Sequence, residues 1–216
     1  MGYFPIVGLA LGTATAALDW LARSIFPVPV VTVLDLTFLA VASGGLHLDG
    51  LADAADGLLS HGDRETRLAA MRDSRTGAFG VAAVGLVLLL EFSGLSSIAV
   101  VDRAVAIIGS VALSRWAMSL AVWSFPAARN DGLGAAFARQ VTVLDVAMAS
   151  AVIGVLAGAL FALAAAAVVL LLAAAIAMMV GSFSRARVGG LTGDVYGAIG
   201  ELVLACELTA LCALPR

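Results

Sequence analysis

Long apolar segments alternate with short polar ones along most of the 216-residue chain. A transmembrane helix needs about 20 mostly apolar residues, and candidate spans fall at 5–22, 28–46, 78–101, 104–125, 141–160, 163–183 and 195–214. The apolar run 141–180 is too long for one span, and the pattern is weakest near 157–162, where we divide it. The pattern predicts an all-α, polytopic membrane helix bundle with about seven transmembrane helices.

Composition agrees with an integral membrane protein. Hydrophobic residues make up 62% of the chain and charged residues only 12%, whereas soluble domains carry about 25% charged residues. The net charge of −3 is too small to indicate a nucleic-acid partner. All twelve basic residues are arginines, which excludes Schiff-base chemistry and a Walker-type phosphate loop, because both need lysine.

The arginines are distributed unevenly between the two sides of the predicted bundle. The loops after the second, fourth and sixth spans hold Arg64, Arg67, Arg72, Arg75, Arg129, Arg139, Arg185 and Arg187. The alternate loops and the C-terminal end hold only Arg23, Arg103 and Arg216. By the positive-inside rule the first side is cytoplasmic, with the N-terminus inside and the C-terminus outside if the spans number seven. We therefore expect one integral membrane domain over 1–216, with active-site loops near 47–77, 126–140 and 184–194.

Four aspartates and both histidines of the chain lie within "GGLHLDGLADAADGLLSHGD", residues 44–63. On a helix, Asp49, Asp53 and Asp56 fall within about 60° of one another, so we expect the three carboxylates to face one cavity. Such a cluster is costly near a membrane unless a cation neutralises it. Hard oxygen ligands favour Mg²⁺, which often completes its shell with substrate phosphates. The alternative is a solvated acidic face at a helix end.

Basic residues follow this cluster directly. Arg72 and Arg75, on either side of Asp73 and Ser74, carry guanidinium groups whose geometry matches phosphate oxygens. We expect Arg72, Asp73 and Arg75 to contact the substrate. Arg129 and Arg139 in the next arginine-side loop are further candidates for substrate contact. The alternative interpretation of all four is a positive-inside membrane anchor.

The two histidines differ in their expected roles. His47 lies two residues before Asp49, roughly on the opposite helix face, so it is a candidate hydrogen-bonding support or a base that acts from a bent backbone. His61, in "SHGD", is typical of an exposed turn.

A third polar motif, "GGLTGDVYGAIGE", spans residues 189–201. Gly189, Gly190, Thr192 and Gly193 offer a backbone that can approach phosphate oxygens closely. Asp194 and Glu201 lie seven residues apart on one helical face. Asp194 is a candidate metal ligand, and Glu201 is a candidate for substrate contact. We expect this motif to approach the Asp49–Asp56 cluster across the bundle. Alternatively, the paired glycines only permit tight helix packing, and Asp19, Asp35, Glu91 and Glu207 are interpreted as interhelical hydrogen-bond partners.

Together these stretches resemble the cobalamin synthase family, also called adenosylcobinamide-GDP ribazoletransferase. The resemblance covers essentially the whole chain in the family's order, through "YFPIVGL", "GGLHLDGLADAADG", "MRDSRTGAFG", the "GLG" at 132–134, and "GGLTGDVYGAIGE". Ala54 stands where the family pattern has threonine. Family members usually carry a further N-terminal segment ahead of "YFP", and this chain begins at Met1, so the resemblance leaves open a truncated start or a short member.

The resemblance implies a reaction and its surroundings. A ribose hydroxyl of α-ribazole, or of its 5′-phosphate, attacks the cobinamide-linked phosphorus of adenosylcobinamide-GDP, and GMP leaves. Mg²⁺ is the implied cofactor, and Asp49 is the first candidate for catalysis, as metal ligand or as base. The implied location is the bacterial or archaeal cell inner membrane with the site facing the cytoplasm. Association with other B12 assembly enzymes or with a second copy of the chain stays open.

Two other classes of protein remain as alternatives. One is another Mg²⁺-dependent intramembrane diphosphate transferase, either a CDP-alcohol phosphotransferase or an aromatic prenyltransferase. The "DGLADAAD" sequence lacks the D-G-x-x-A-R core of the first, and "GGLTGD" only weakly matches the second acidic motif of the other. The second class is a transporter that uses buried carboxylates, but the sequence shows no internal repeat.

Overall fold

The computed structural model describes residues 2–213, which form ten α-helices and no β-strand. Arg216, which was counted in the arginine distribution, lies outside the described residues, as does Met1. The helices are α1 (Phe4–Ala22), α2 (Val28–Ala42), α3 (Leu46–Leu59), α4 (Arg64–Ala70), α5 (Ala78–Ser97), α6 (Arg103–Ser124), α7 (Gly132–Gln140), α8 (Val143–Leu160), α9 (Leu163–Val188) and α10 (Gly193–Ala213).

Six of these helices are long and apolar enough to cross a membrane, namely α1, α5, α6, α8, α9 and α10. A seventh crossing is obtained if α2 and α3 together form one span. The all-α polytopic bundle predicted from the apolar pattern is therefore confirmed, and the predicted number of about seven spans depends on this one pair of helices.

The predicted span at 28–46 forms a shorter helix, followed by a sharp bend. The second helix ends at Ala42, and α3 leaves it at an angle of 84°. Gly44 and Gly45 between them have φ angles of 64° and 72°, a left-handed conformation that favours glycine because it has no Cβ. The bend carries the acidic α3 away from the direction of α2.

The long apolar run divides where its pattern is weakest, as predicted. The eighth helix ends at Leu160, and α9 begins at Leu163. Phe161 between them is extended, and its ring lies over Gly109 of α6, where a side chain would collide with it. The break between α8 and α9 therefore coincides with the packing of Phe161 on α6, and no proline or charged residue marks it in the sequence.

The centre of the bundle is formed by α6 and α10, which are the most buried of the candidate spans. Small residues bring their neighbours close. A Cβ at Gly8 of α1 would lie 2.7 Å from the carbonyl oxygen of Val111 in α6, and a Cβ at Gly94 of α5 would lie 2.8 Å from the carbonyl carbon of Leu208 in α10. Helices α3 and α5 pack against α10 from one side, and α1 packs against α6 from the other.

The three arginine-side loops meet at one end of the bundle, as predicted. Arg64 at the start of α4 donates from Nε to the carbonyl of Val188 at 2.9 Å and from Nη2 to that of Ala128 at 2.5 Å. One side chain therefore joins all three loops. Arg67, which the sequence places among the arginines of the predicted cytoplasmic loops, is buried and donates to the carbonyls of Leu58 and Gly62, so it satisfies backbone groups at the end of α3.

The opposite end contains a buried ionic cluster. Arg103 is not a loop residue as expected but the first residue of α6, and its side chain is fully buried. Its Nε donates to Asp19 of α1 at 2.7 Å, and its Nη2 donates to Asp35 of α2 at 3.0 Å. Arg23 lies 2.7 Å from the other oxygen of Asp19. The interhelical interpretation of Asp19 and Asp35 is confirmed.

Candidate active site

The acidic helix α3 runs along the start of α10 and presents its aspartates at the arginine-rich end. Gly50 makes this approach possible, since a Cβ there would lie 2.9 Å from the carbonyl oxygen of Asp194. Asp49 is exposed and Asp53 is half-buried. In the part of the chain that the structure describes, no side chain donates a hydrogen bond to either carboxylate. Asp53 lies within electrostatic range of Asp49, Asp56 and Asp194.

Asp56 has a different environment from its two neighbours on α3. Its carboxylate accepts hydrogen bonds from the backbone N–H groups of Gly77 at 2.6 Å and Gly80 at 2.9 Å. These groups lie at the N-terminus of α5, where unpaired N–H groups and the helix dipole favour a carboxylate. The expectation that all three carboxylates face one cavity is therefore wrong for Asp56.

A cavity of about 530 Å³ opens between α3, α7 and the start of α10. Its volume lies within the usual range for ligand sites, about 300 to 1,000 Å³. The polar and charged residues that line it are His47, Asp49, Arg72, Arg129, Asp131, Thr192, Asp194 and Tyr196, together with the backbone of Gly193. The remaining predicted residues are not in its lining: Asp53, Asp56, Asp73, Arg75, Arg139, Gly189, Gly190 and Glu201. We call this space the arginine cavity.

Asp194 meets the α3 cluster across the bundle, as predicted. It lies in the first turn of α10, and Arg129 donates to its Oδ2 from Nη2 at 3.0 Å. The hydroxyl of Thr192 donates to the same oxygen at 3.0 Å. Asp194 is therefore held in one orientation on the cavity wall, while Asp49 on the facing helix has no such support.

The other predicted arginines differ in their availability to a ligand. Arg72 lines the arginine cavity and pairs with Asp131 at 2.9 Å, and both side chains are mostly exposed. Arg75 points into solvent and binds Asp73 through two hydrogen bonds from its guanidinium group. These bonds lower the pKa of Asp73 to about 2. Arg139 lines a separate polar cavity beside Arg129 and donates to the carbonyl of Asn130 at 3.0 Å.

The glycines of "GGLTGD" divide into two structural groups. Gly189 ends α9 with a φ of 86°. Gly190 packs directly on the backbone of Pro126 and Ala127, where any side chain would collide. Only Gly193 borders the arginine cavity. The packing interpretation thus accounts for Gly190, the left-handed backbone at the end of α9 accounts for Gly189, and phosphate contact remains a prediction for Gly193.

A buried polar network lies beneath the cavity. Arg115 of α6 is 4% exposed, and its Nη2 lies 3.3 Å from Nδ1 of His47. Glu201 lies 3.7 Å from the same nitrogen, and it interacts with Glu91 and Arg115 in the interior. His47 and Glu201 are therefore parts of one network, with His47 on the cavity wall and Glu201 one layer deeper.

Three polar residues of the site were not predicted from the sequence, namely Arg115, Asp131 and Tyr196. Arg115 stands inside the fourth predicted span, and an arginine at membrane depth is itself a signal of function or of a buried partner. Asp131, the partner of Arg72, offered no signal of its own in "ARNDGLG". His61 is exposed, as predicted.

The carboxylates fit one kind of Mg²⁺ site and not another. Within residues 2–213, no three His, Cys, Asp or Glu side chains are arranged so that they could hold one metal ion. A closed cage made only of protein ligands is therefore not formed there. Mg²⁺ commonly takes one or two carboxylates and completes its shell with water and substrate phosphates. Asp49 and Asp53, which have no donor partners, fit that arrangement, with Asp194 on the facing wall.

The fold and site together define a class of protein: a polytopic helical membrane protein in which carboxylates and guanidinium groups line a shared cavity at one end. Such a cavity is suited to an anionic, phosphate-bearing ligand. Its family follows from comparison with known sequences. The chain belongs to the cobalamin-5-phosphate synthase family, whose model matches residues 1–214.

The curated relatives have one name in common, and each aligns with this chain over most of its own length. The adenosylcobinamide-GDP ribazoletransferase of Geotalea daltonii is 37% identical over 97% of this chain and 84% of its own length. That of Desulforamulus reducens is 36% identical over 94% of this chain and 81% of its own length. That of Escherichia coli strain UMN026 is 32% identical over 95% of this chain and 85% of its own length. No solved structure matches the chain.

Proposed function

We propose that this protein is a membrane transferase that joins adenosylcobinamide-GDP to α-ribazole, or to α-ribazole 5′-phosphate. A ribose hydroxyl oxygen of the acceptor bonds to the cobinamide-linked phosphorus, the bond from that phosphorus to the GMP oxygen breaks, and the hydroxyl proton is released. The products are adenosylcobalamin, or its 5′-phosphate, and GMP. The family and the names of its curated members support this assignment.

The observation that carries the proposal is the convergence of Asp49, Asp194, Arg72 and Arg129 on one cavity. The two guanidinium groups are suited to the non-reacting phosphate oxygens. Asp49 faces them without a hydrogen-bond donor of its own, so its carboxylate is available to orient the acceptor hydroxyl and accept its proton, or to bind a cation. Thr192 and Arg129 hold Asp194 in place on the opposite wall.

Bound Mg²⁺ would neutralise the negative charge that develops on the leaving phosphate. The candidate ligands are Asp49, Asp53 and Asp194. Asp56 was also predicted as a ligand, but its carboxylate is engaged by the N-terminus of α5. The Asp56 carboxylate would have to give up these two hydrogen bonds before it could bind a metal ion.

The proposed orientation is an active site on the cytoplasmic side of the inner membrane. Eight arginines lie on that end of the bundle, in agreement with the positive-inside rule. Nucleotide substrates are cytosolic, and a cavity at this end would meet them without transport.

The alternatives find less support. A CDP-alcohol phosphotransferase or a prenyltransferase is not favoured, because the family model and the relatives agree on the cobalamin enzyme. A transporter needs a pathway to both sides of the membrane. Here the end opposite the arginine cavity is occupied by the buried cluster of Asp19, Asp35 and Arg103.

The test is GMP release by the purified protein in lipid vesicles supplied with adenosylcobinamide-GDP, α-ribazole and Mg²⁺. We expect Asp49→Asn to lower turnover by roughly a hundredfold to a thousandfold, as for the loss of one transition-state contact. Asp63→Asn is the matched control, because Asp63 is an exposed cap of α4 and asparagine caps equally well. Wild-type protein that releases no GMP, or equal activity of the two variants, would contradict the proposal.

A further inference from the structure

A second space adjoins the arginine cavity on the other side of α3. It is a groove of about 690 Å³ between the α2–α3 bend and the first turns of α5. Leu46, Leu48, Val81 and Val84 form its apolar walls, and glycines leave it wide. We call it the α3–α5 groove. Its volume also lies in the range of ligand sites, about 300 to 1,000 Å³.

The carboxylate of Asp49 connects the two spaces. Asp49 and Leu46 line both the arginine cavity and the α3–α5 groove. Asp53 and Asp194 do not line the groove. A group bound in the groove and a group bound in the arginine cavity would therefore meet at Asp49, the residue assigned to the acceptor hydroxyl above.

The two spaces differ in the chemistry that they offer. The arginine cavity has the guanidinium groups of Arg72 and Arg129. Among the described residues that line the groove there is no arginine or histidine, and the only polar side chains are those of Asp49 and Thr76. A diphosphate in the groove would lose its hydration without gaining a cationic partner. An apolar ring would instead bury its surface against leucine and valine side chains.

We propose that the α3–α5 groove binds the base of the acceptor α-ribazole, which is dimethylbenzimidazole. This inference rests on the proposed function, because it assigns the two substrates of that reaction to separate spaces. The flat, methylated base lies against Leu48, Val81 and Val84, and its ribose reaches Asp49. The diphosphate of adenosylcobinamide-GDP occupies the arginine cavity, so the two reactants approach Asp49 from opposite sides of α3.

Gly85 allows this assignment to be tested by filling the groove. It lines the groove on α5, is exposed, and a Cβ at this position would have no neighbouring atom within 4 Å. Gly158 on α8 is a matched control, because it is also an exposed helical glycine with no atom within 4 Å of a Cβ. It is absent from the residues that line the groove and the arginine cavity.

The experiment compares Gly85→Ala, Gly85→Leu and Gly158→Leu in steady-state GMP release, with each substrate varied in turn. We expect Gly85→Leu to raise the KM for α-ribazole about tenfold or more, the scale of steric exclusion from an apolar pocket, and Gly85→Ala to raise it less. The KM for adenosylcobinamide-GDP should stay within about twofold of the wild-type value. Gly158→Leu should change neither.

Free dimethylbenzimidazole gives a second measurement that does not depend on a variant. It should inhibit the wild-type protein and Gly158→Leu competitively against α-ribazole, and it should inhibit Gly85→Leu far less. An unchanged KM for α-ribazole in Gly85→Leu, an equal rise in both KM values, or no inhibition by the base would overturn the proposal and leave the groove as a lipid-facing surface. Wild-type protein without GMP release would instead contradict the proposed function itself.

Discussion

Two clusters of charge lie at opposite ends of this bundle, and they are organised in opposite ways. At one end Asp19 and Asp35 are fully buried, and Arg103 and Arg23 balance their charge across α1, α2 and α6. At the other end Asp49 and Asp194 line the arginine cavity, Asp53 lies beside Asp49 on α3, and Arg129 binds only Asp194. Charges inside a membrane protein are costly unless they are paired. The first group, Asp19, Asp35, Arg103 and Arg23, is called the closed cluster, and it joins helices. The second group, Asp49, Asp53 and Asp194, is called the open cluster, and it retains charge that a ligand can neutralise.

The two clusters also differ in the helices that supply their aspartates. Each aspartate of the closed cluster comes from a different helix, so that pairing with arginine links those helices. Asp49 and Asp53 come from one short helix, α3, and their mutual repulsion has no compensation within that helix. Such an excess of unpaired groups agrees with the proposed binding of a diphosphate and a cation.

The largest expected effect comes from removal of the cation. We expect chelation by EDTA to abolish GMP release and added Mg²⁺ to restore it, because in the proposed mechanism the substrate phosphates and the open cluster share one Mg²⁺ ion. The Tm of the substrate-free protein should not change, since no group of three metal-binding side chains is formed among residues 2–213. A large fall in Tm on chelation would show that the ion is structural. Both clusters would then stabilise the fold, which contradicts the distinction drawn between them.

The next effect distinguishes the two clusters by stability. We expect Arg103→Ala to destabilise the protein by about 3–5 kcal/mol, because it leaves two buried carboxylates with too little positive charge. Arg129→Ala, the partly exposed counterpart at the open end, should raise the KM for adenosylcobinamide-GDP and shift the Tm much less. Thermal unfolding in one detergent and steady-state GMP release measure both. A normal Tm in Arg103→Ala would refute the structural role of the closed cluster.

The smallest effect concerns Asp56, which belongs to the acidic helix but bonds to the N-terminus of α5. Asparagine has one acceptor oxygen, so it removes the charge and keeps only one of the two hydrogen bonds from the N-terminus of α5. We therefore expect Asp56→Asn to cost about 0.5–1.5 kcal/mol of stability and to lower turnover far less than Asp49→Asn, whereas Asp56→Ala, which loses both hydrogen bonds, should cost about 1–3 kcal/mol. Thermal unfolding and GMP release of the three variants provide the measurements. A loss of turnover in Asp56→Asn as large as that in Asp49→Asn would return Asp56 to the metal site.

Much of the architecture followed from the order of residues alone. Bilayer thickness requires long, continuous apolar segments, and hydropathy is a local property, so the spans were predicted within a few residues. The break near 157–162 and the meeting of the three arginine-side loops followed in the same way. The motifs of "GGLHLDGLADAADG" and "GGLTGDVYGAIGE" also sufficed for the family resemblance, which the comparison with known sequences confirmed.

The tertiary structure decided how the charged side chains are shared between packing and the site. Periodicity placed Asp49, Asp53 and Asp56 on one face of α3, but only the approach of α5 gave Asp56 two backbone donors. Arg103 looked like a loop residue, yet two aspartates from other helices hold it in the interior. Arg115 became part of the site only because α3 brings His47 against α6. Such partners are distant along the chain, so a sequence pattern, which reports neighbours on one helix, carries no information about which of them meet.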